Sequence, residues 1–491
     1  MTRHALVVAV IALVLAPAAA APFDKSGIAD WTQPPVPGPE PAFHPPTARR
    51  FQLANGIALL VIEDHTLPIV AIDLVVPGAG TAADPKHKRG LASFTADLLD
   101  EGAGSRTALE LAQDEARLGA RIATRADADA ARVSVSTLRT TLEPTLALVA
   151  QIVTQPMFAA GEFARVKGDL STAIEQRRDR PPEVAAIVLN AALFGSEAAY
   201  GHPGAGTRED VKGLTLADVL AFYREHWSPA AMTLVVAGDV DAQDLKAKLD
   251  AGLGSWQPKG ARPPVAPIAA QAKLTRRLLV VDRAGAAQSD VRIGRIGPDR
   301  NDGRYFAFEV LRTTLGGGFT SRITQRLREQ LGIIYHAYAT MAWRVAPGPF
   351  VIDAAIVTPQ TATGISEVIK ILDDLAVNEL SPAELDKSKQ NLVRALPAMF
   401  DTNAEAAAAF TELALHKLPD DWYARFADGV RAVTARDVKA AAQAMLPSGS
   451  MAISIVGDLA KIRPELAKLG LGEPALYDLD GAPIPAAAPA H

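Results

Sequence analysis

Thr233-Leu234-Val235-Val236-Ala237-Gly238-Asp239 recurs 219 residues later as Ala452-Ile453-Ser454-Ile455-Val456-Gly457-Asp458. The same offset carries Leu59-Leu60-Val61-Ile62-Glu63 onto Leu278-Leu279-Val280-Val281-Asp282. It also carries Leu214-Thr215-Leu216-Ala217-Asp218-Val219 onto Val433-Thr434-Ala435-Arg436-Asp437-Val438. Three matches at one offset, at the start, late middle and end of each unit, mark an internal duplication. Its period is domain-sized and far beyond that of stacked solenoid units. Within the first unit, residues 57–63, 69–76 and 232–238 are β-rich runs punctuated by Asn55-Gly56, Pro68 and Pro77-Gly78. Residues 122–125 and 132–137 read as a hairpin region. Residues 90–102, 107–118, 141–154, 161–177, 183–194, 215–227 and 243–253 have helical spacing. The predicted fold is α+β: two tandem homologous α/β sandwich domains, each with a mixed, mainly antiparallel sheet and clustered helices.

Flanking segments complete the predicted organisation. Residues 1–20 carry Arg3, an apolar run from Ala5 to Leu15 and Ala18-Ala19-Ala20, the three parts of a secretory signal peptide. The apolar run is too short to span a hydrocarbon layer of ~30 Å comfortably, so no membrane anchor is expected after cleavage. Residues 21–48 form a proline-rich arm, with Pro34-Pro35, Pro37, Pro39, Pro41 and Pro45-Pro46. The first domain is assigned to 49–254, a linker to 255–273, the second domain to 274–470 and a tail to 471–491, expected to lose order beyond about Pro483. A chain of 491 residues that is 49% hydrophobic can build large cores. It has no cysteine, which excludes disulfides, thiolate metal sites, cysteine nucleophiles and a lipidated N-terminal cysteine. Export without disulfides places it in the periplasm or outside the cell. A net charge of −5 without a basic stripe, and only 5% aromatic residues, argue against nucleic acid as a partner.

A series of ordered segments is similar to the pitrilysin/insulinase family of zinc peptidases. It comprises Asn55-Gly56, Glu63-Asp64-His65, Leu67-Pro68-Ile69-Val70, Asp84-Pro85 and the run from Gly90 to Leu99. Further on come Tyr200-Gly201-His202-Pro203, Gly206-Thr207, Phe222-Tyr223 with His226-Trp227 and Pro229, and Val236-Ala237-Gly238-Asp239. The resemblance covers roughly residues 48 to 470 and implies the duplicated fold. In active members the helix beginning at Gly90 carries H-x-x-E-H. Two histidines at i and i+4 share a helical face and bind zinc, and the glutamate activates water. Here those positions read Ser93, Ala96 and Asp97. On a helix through residue 102 they share one face with Asp100, while Leu91, Phe94 and Leu98 point to the core. One aspartate does not make a catalytic zinc site, which needs three protein ligands. Glu162 and Glu175 lie near the region of the family's third ligand, but on their own they read as solvated helix positions. The nine histidines offer no pair spaced two, three or four apart. His202 reads as part of a Gly-Pro turn, and His226 as a cation favoured at a helix C-terminus. No metal or other cofactor is therefore expected in this chain.

The second half carries Gly316-Gly317-Gly318-Phe319-Thr320-Ser321-Arg322, then Arg328-Glu329-Gln330-Leu331-Gly332 and Ile333-Ile334-Tyr335. Thr320 or Ser321 can cap the intervening helix, Ile323 and Leu327 face its core side, and Gly332 suits the position past its end. The plain reading of the three glycines is a tight turn that needs positive φ. The plain reading of the pair is that Arg328 meets a local carboxylate and Tyr335 is half-buried packing. The family resemblance implies instead that Gly316, Gly317 and Gly318 border a substrate loop, and that Arg328 and Tyr335 contact substrate beside a zinc ion. Lost ligands with a kept Arg/Tyr pair resemble the non-catalytic subunit of two-chain members. The implied partner is a homologous H-x-x-E-H subunit holding the zinc, and the implied ligands are peptide substrates. The alternatives are a structural core-type subunit and a peptide-binding scaffold with no role in proteolysis.

Overall fold

The computed structural model describes residues 43–257 and 277–485. The signal segment, most of the proline-rich arm and of the linker, and the end of the tail lie outside the described residues. Strands are numbered here in chain order. The first half contributes β1 (Arg49–Gln52), β2 (Ala58–Glu63), β3 (Ile69–Pro77), β4 (Arg121–Ala126), β5 (Ala130–Leu138) and β6 (Thr233–Gly238). They form one sheet in the order β1-β2-β6-β3-β5-β4. The second half contributes β7 (Arg277–Asp282), β8 (Gln288–Ile296), β9 (Ile334–Met341), β10 (Pro349–Val357), β11 (Ala452–Gly457) and β12 (Ala475–Tyr477). Their order is β12-β7-β11-β8-β10-β9, the same arrangement again.

The repeat extends to the hydrogen-bond register. Ala58 pairs with Thr233 in the parallel β2–β6 ladder, and Arg277 with Ala452 in the parallel β7–β11 ladder. Ile69 pairs with Leu138 across β3–β5, and Gln288 with Val357 across β8–β10, both antiparallel. Every partner in the second set is displaced by 219 residues from its counterpart in the first. The two sheets differ at one edge, where β1 runs antiparallel to β2 but β12 runs parallel to β7. The second sheet thus continues past the expected boundary at 470 into the segment read as a tail.

Strand alternation sends neighbouring side chains to opposite faces, and the halves use those faces reciprocally. Leu59, Val61, Ile72 and Leu74 point to the first half's own helices, among them α1 (Leu91–Asp97). Leu60, Ile62, Ala71, Val235 and Ala237 face the other way and pack with Ala406, Ala407, Phe410 and Leu413. Those four belong to a helix of the second half. Conversely, Leu278, Val280, Ile293 and Ile455 face their own helices, including Tyr305–Gly316. Leu279, Val281, Val351 and Val456 pack with Val184, Val188 and Leu189 from the first half. Taking the crossing helices as α2 (Pro181–Phe194) and α3 (Asn403–His416), each half closes the other half's sheet.

Polar contacts fix this exchange. Asn403 Nδ2 donates to Ile69 O at 3.0 Å, and Arg132 Nη2 on β5 donates to Glu412 Oε1 on α3 at 2.7 Å. Burial works against the Glu412 charge, but its contacts with His416 and Arg132 hold the carboxyl down to about 2. Gly238, in the quoted motif, has φ 134°, and a Cβ there would lie 2.2 Å from Ile69 O, so only glycine lets the end of β6 run this close to β3.

Leu189 is 1% exposed on α2, against the second sheet. Leu189→Ala is expected to cost about 2–5 kcal/mol. The loss should lower a single urea transition shared by tryptophans of both halves, Trp227 and Trp422. Separate midpoints for the two halves would contradict the reciprocal closure.

Candidate functional site

The helix at the family's zinc position is shorter than expected. It runs from Leu91 to Asp97, not to residue 102. Gly90 N and Ala92 N donate to the Asp84 carboxylate at 2.6 and 2.8 Å, which fixes its start. It ends because Leu98 and Leu99 turn into the core, fully buried, ahead of the two-residue strand Gly102–Ala103. Asp100 is therefore off the helix. Nor do the three motif positions share an open face. Ala96 is fully buried, Ser93 Oγ donates to Gly204 O at 3.0 Å, and Asp97 is exposed.

These residues do not fit a zinc ion. One has no donor atom, one spends its hydroxyl on the backbone, and one carboxylate remains. Among the described residues no three His, Asp or Glu side chains are grouped to hold a metal. Glu162 accepts from Arg165 Nε at 2.7 Å, and the same guanidinium bridges Glu101 and Asp169. Glu175 pairs with Arg178 and Arg208. Arginine thus supplies the positive charge in this neighbourhood. His226 is not the helix-end cation expected: burial lowers its pKa, Nδ1 meets Gly78 O at 2.8 Å, and the ring stacks on Phe222. His202 is likewise buried and lowered, with Nδ1 3.1 Å from Pro203 O.

The Arg/Tyr segment is arranged differently. Gly316 closes the helix Tyr305–Gly316 where it crosses β9, and a Cβ there would lie 2.4 Å from Ala339 N. None of Gly316, Gly317 and Gly318 has positive φ, so close approach rather than a left-handed turn explains the first of them. Neither Thr320 nor Ser321 caps the following helix through a backbone N–H; Ser321 Oγ donates to Thr324 Oγ1 at 3.0 Å. Ile323 and Leu327 are fully buried as expected, and Gly332 has φ 64°. Thr324–Gln330 is a π-helix, with Leu331 N bonded to Arg326 O. This widened turn carries Arg328.

Across from it, β9 is the edge strand of its sheet and slips register between Ile334 and Ala337. The bulge turns Tyr335 and His336 outward together, while Ile334, Ala337 and Ala339 stay buried. Tyr335 is 74% exposed, not half-buried. The Arg328 guanidinium lies 5.3 Å from the Tyr335 ring centroid and 5.0 Å from that of Phe319, which is 73% exposed. Among the described residues its one ion pair is the weak 3.5 Å contact with Glu329. His336 and Tyr338 continue the aromatic row. Sequence reasoning missed Phe319 and this row, because their convergence depends on the π-turn and the bulge. Among the described residues no hydrogen bond, ion pair or ring contact joins Arg328 or Tyr335 to Ser93, Ala96 or Asp97.

A family model described as insulinase (peptidase family M16) matches residues 59–203, and one described as the peptidase M16 inactive domain matches residues 213–392. The chain belongs to the insulinase family. It lacks the catalytic motif of that family's active members. An uncharacterised zinc protease of Mycobacterium tuberculosis (strain ATCC 25618 / H37Rv) is 27% identical over 346 residues, covering 70% of this chain and 78% of that one. A non-peptidase homolog from Helicobacter pylori (strain ATCC 700392 / 26695) is 22% identical over 350 residues, 70% of this chain and 79% of its own. The crystal structure of a peptidase M16 inactive domain from Pseudomonas fluorescens superposes with a TM-score of 0.78 at 26% identity, covering 84% of this chain and 98% of that one. The duplicated insulinase-type fold is therefore shared. No described helix is long and apolar enough to cross a membrane.

The altered helix leaves a measurable trace. The surrounding protein, then the charges of Asp100 and Glu101, push Asp97 up to about 6. Burial, helped by Glu101, raises Asp100 to about 6. A carboxyl raised in the folded state binds its proton more tightly there than in the unfolded chain. Both groups therefore cost stability at neutral pH, and that cost fades as pH falls through about 6 towards the ordinary value of 3.8. Solvent around Asp97 shrinks the effect without changing its sign. Asp97→Asn is expected to raise the melting temperature at pH 7.5 and to leave it unchanged near pH 3.5. A gain that persists at the lower pH would contradict this assignment.

Proposed function

We propose that this chain is the non-catalytic, substrate-contacting subunit of an exported, periplasmic zinc metallopeptidase. It would pair with a homologous H-x-x-E-H subunit and present Arg328 and Tyr335 to that partner's zinc site. The observation that carries this reading is the pair itself. An arginine on the π-turn lies beside a tyrosine on the bulged edge, and that tyrosine is far more open than packing requires. The chain's own zinc positions, meanwhile, have lost their ligands.

The chemistry suits that role. The edge strand β9 can accept an extended peptide by backbone pairing, which makes selectivity broad. Arg328 can hold a substrate carbonyl, and the Tyr335 hydroxyl can donate to the oxygen that gains charge as the peptide bond is attacked. Such a donor is worth about 10²–10³ in rate. The second reading is a scaffold without proteolysis, in which the aromatic row is buried permanently against another subunit. The non-peptidase relative supports keeping it.

The deciding comparison purifies this chain alone and with an exported H-x-x-E-H relative encoded beside it. The lone chain should hold no stoichiometric zinc and cleave no peptide, and the pair should do both. Zinc bound by the lone chain at one equivalent would end the subunit reading. In an active complex, Tyr335→Phe should lower kcat by about 10²–10³, and Arg328→Ala should lower it as well, with assembly intact by gel filtration. Unchanged turnover in both variants would leave the scaffold reading.

A further inference from the structure

A cavity of about 390 Å³ lies where α2, the 199–205 loop, the β4–β5 turn and the β9–β10 loop meet. Its size is in the range of small-molecule sites. Tyr200 forms part of its wall: its hydroxyl donates to Asp129 Oδ1 and accepts from Ala346 N at 3.3 Å. Val345 N donates to Asp129 Oδ2 at 3.1 Å, so the second half's loop is tied down and Arg344 is held against the cavity.

Two guanidinium groups line this space with no carboxylate at ion-pair distance among the described residues; Asp129 and Asp127 act on Arg344, and Asp480 and Glu183 on Arg177, only across a gap. Among the described residues the Arg344 side chain makes no hydrogen bond or ion pair; its guanidinium lies 4.3 Å over the Tyr200 ring. Arg177, 9% exposed, reaches only Gly206 O, at 3.3 Å from each terminal nitrogen. The carboxylates in the same wall are already engaged. Asp127 accepts from Arg132 at 3.1 Å and from two backbone N–H groups, and Glu183 accepts from Arg180 at 3.0 Å. His202 contributes no charge, since burial favours its neutral form. The Asn190 amide lines the cavity without a hydrogen bond to the described residues. A shielded cation whose nearby carboxylates are spent on other partners is costly, and ring stacking on Tyr200 offsets only part of that cost. The lining also has an apolar part, Ala186, Ile187, Ala199 and Ala205.

We infer that this cavity is a binding site for a carboxylate carrying a small apolar substituent, the chemistry of a peptide's C-terminal residue. Arg344 and Arg177 clamp the carboxylate, Asn190 adds a donor, and Ile187 with its alanine neighbours receives the side chain. A planar carboxylate suits the arginine fork, and the apolar wall discriminates against a bare inorganic anion. The same chemistry could come from a short organic acid. This inference stands apart from the partner-zinc reading, since the cavity is complete within one chain.

The test is isothermal titration calorimetry on the purified full chain without any partner. The probes are tri-alanine, its C-terminal amide, propionate and inorganic phosphate. Tri-alanine should bind, and the amide should bind about 10- to 100-fold more weakly. Arg344→Gln should reduce tri-alanine binding by a similar factor at an unchanged melting temperature. Ile187→Trp, which fills the apolar wall, should abolish binding and covers the case in which Arg344→Gln does not fold. Propionate binding as tightly as tri-alanine would support the site and name a free short acid as its ligand. Equal binding of acid and amide, phosphate binding as tightly as tri-alanine, or no heat from either acid would overturn it.

Discussion

The exchange of α2 and α3 between the halves is the constraint on which the rest of this molecule depends. Each sheet has two apolar faces, and a half can cover only one with its own helices. The other is covered by Val184, Val188 and Leu189 in one direction and by Ala406, Phe410 and Leu413 in the other. Neither half can expose that second face to water without losing hydrophobic stabilisation over a whole sheet layer. The described residues from Pro45 onward accordingly belong to one compact unit. Duplication thus produced a single interlocked body rather than two separable beads. The cavity holding Arg177 sits on this seam, where the second half contributes Arg344 to a wall otherwise built by the first.

Much of this was legible in the sequence. The 219-residue offset, read from three short matches, anticipated the repeated strands and the two sandwiches, because duplicated strands keep one side-chain pattern. The exchange itself was not legible. Residues 181–194 look like any strongly apolar helix, and periodicity does not say whose sheet such a helix covers. The second sheet's sixth strand, Ala475–Tyr477, was missed because a three-residue edge strand carries almost no pattern.

The site shows the same division. Loss of zinc ligands at Ser93, Ala96 and Asp97 needs only residue identities, since neither an alanine nor a hydroxyl turned to the backbone replaces imidazole. The early end of α1 was hidden, because Leu98 and Leu99 suit a helix as well as a buried turn. Arg328 and Tyr335 were visible as a pair, but the exposure of Tyr335 was not. It comes from a π-turn that widens the helix and a bulge that moves Tyr335 and His336 to one side, and neither has a sequence signature here. What remains is an arginine beside an exposed aromatic row in the second half, and a first half without the family's zinc ligands.

The most direct test of the proposed subunit role uses the absence of cysteine from this chain. Tyr338→Cys on the β9 edge, outside the Arg328–Tyr335 contact, accepts one spin label at a unique position. Mixed with an H-x-x-E-H partner carrying manganese in place of zinc, the label should show strong metal-induced relaxation that vanishes with a zinc-loaded partner. Complex formation with no relaxation difference between the manganese and zinc forms would contradict the account, because Arg328 and Tyr335 would then face away from the metal.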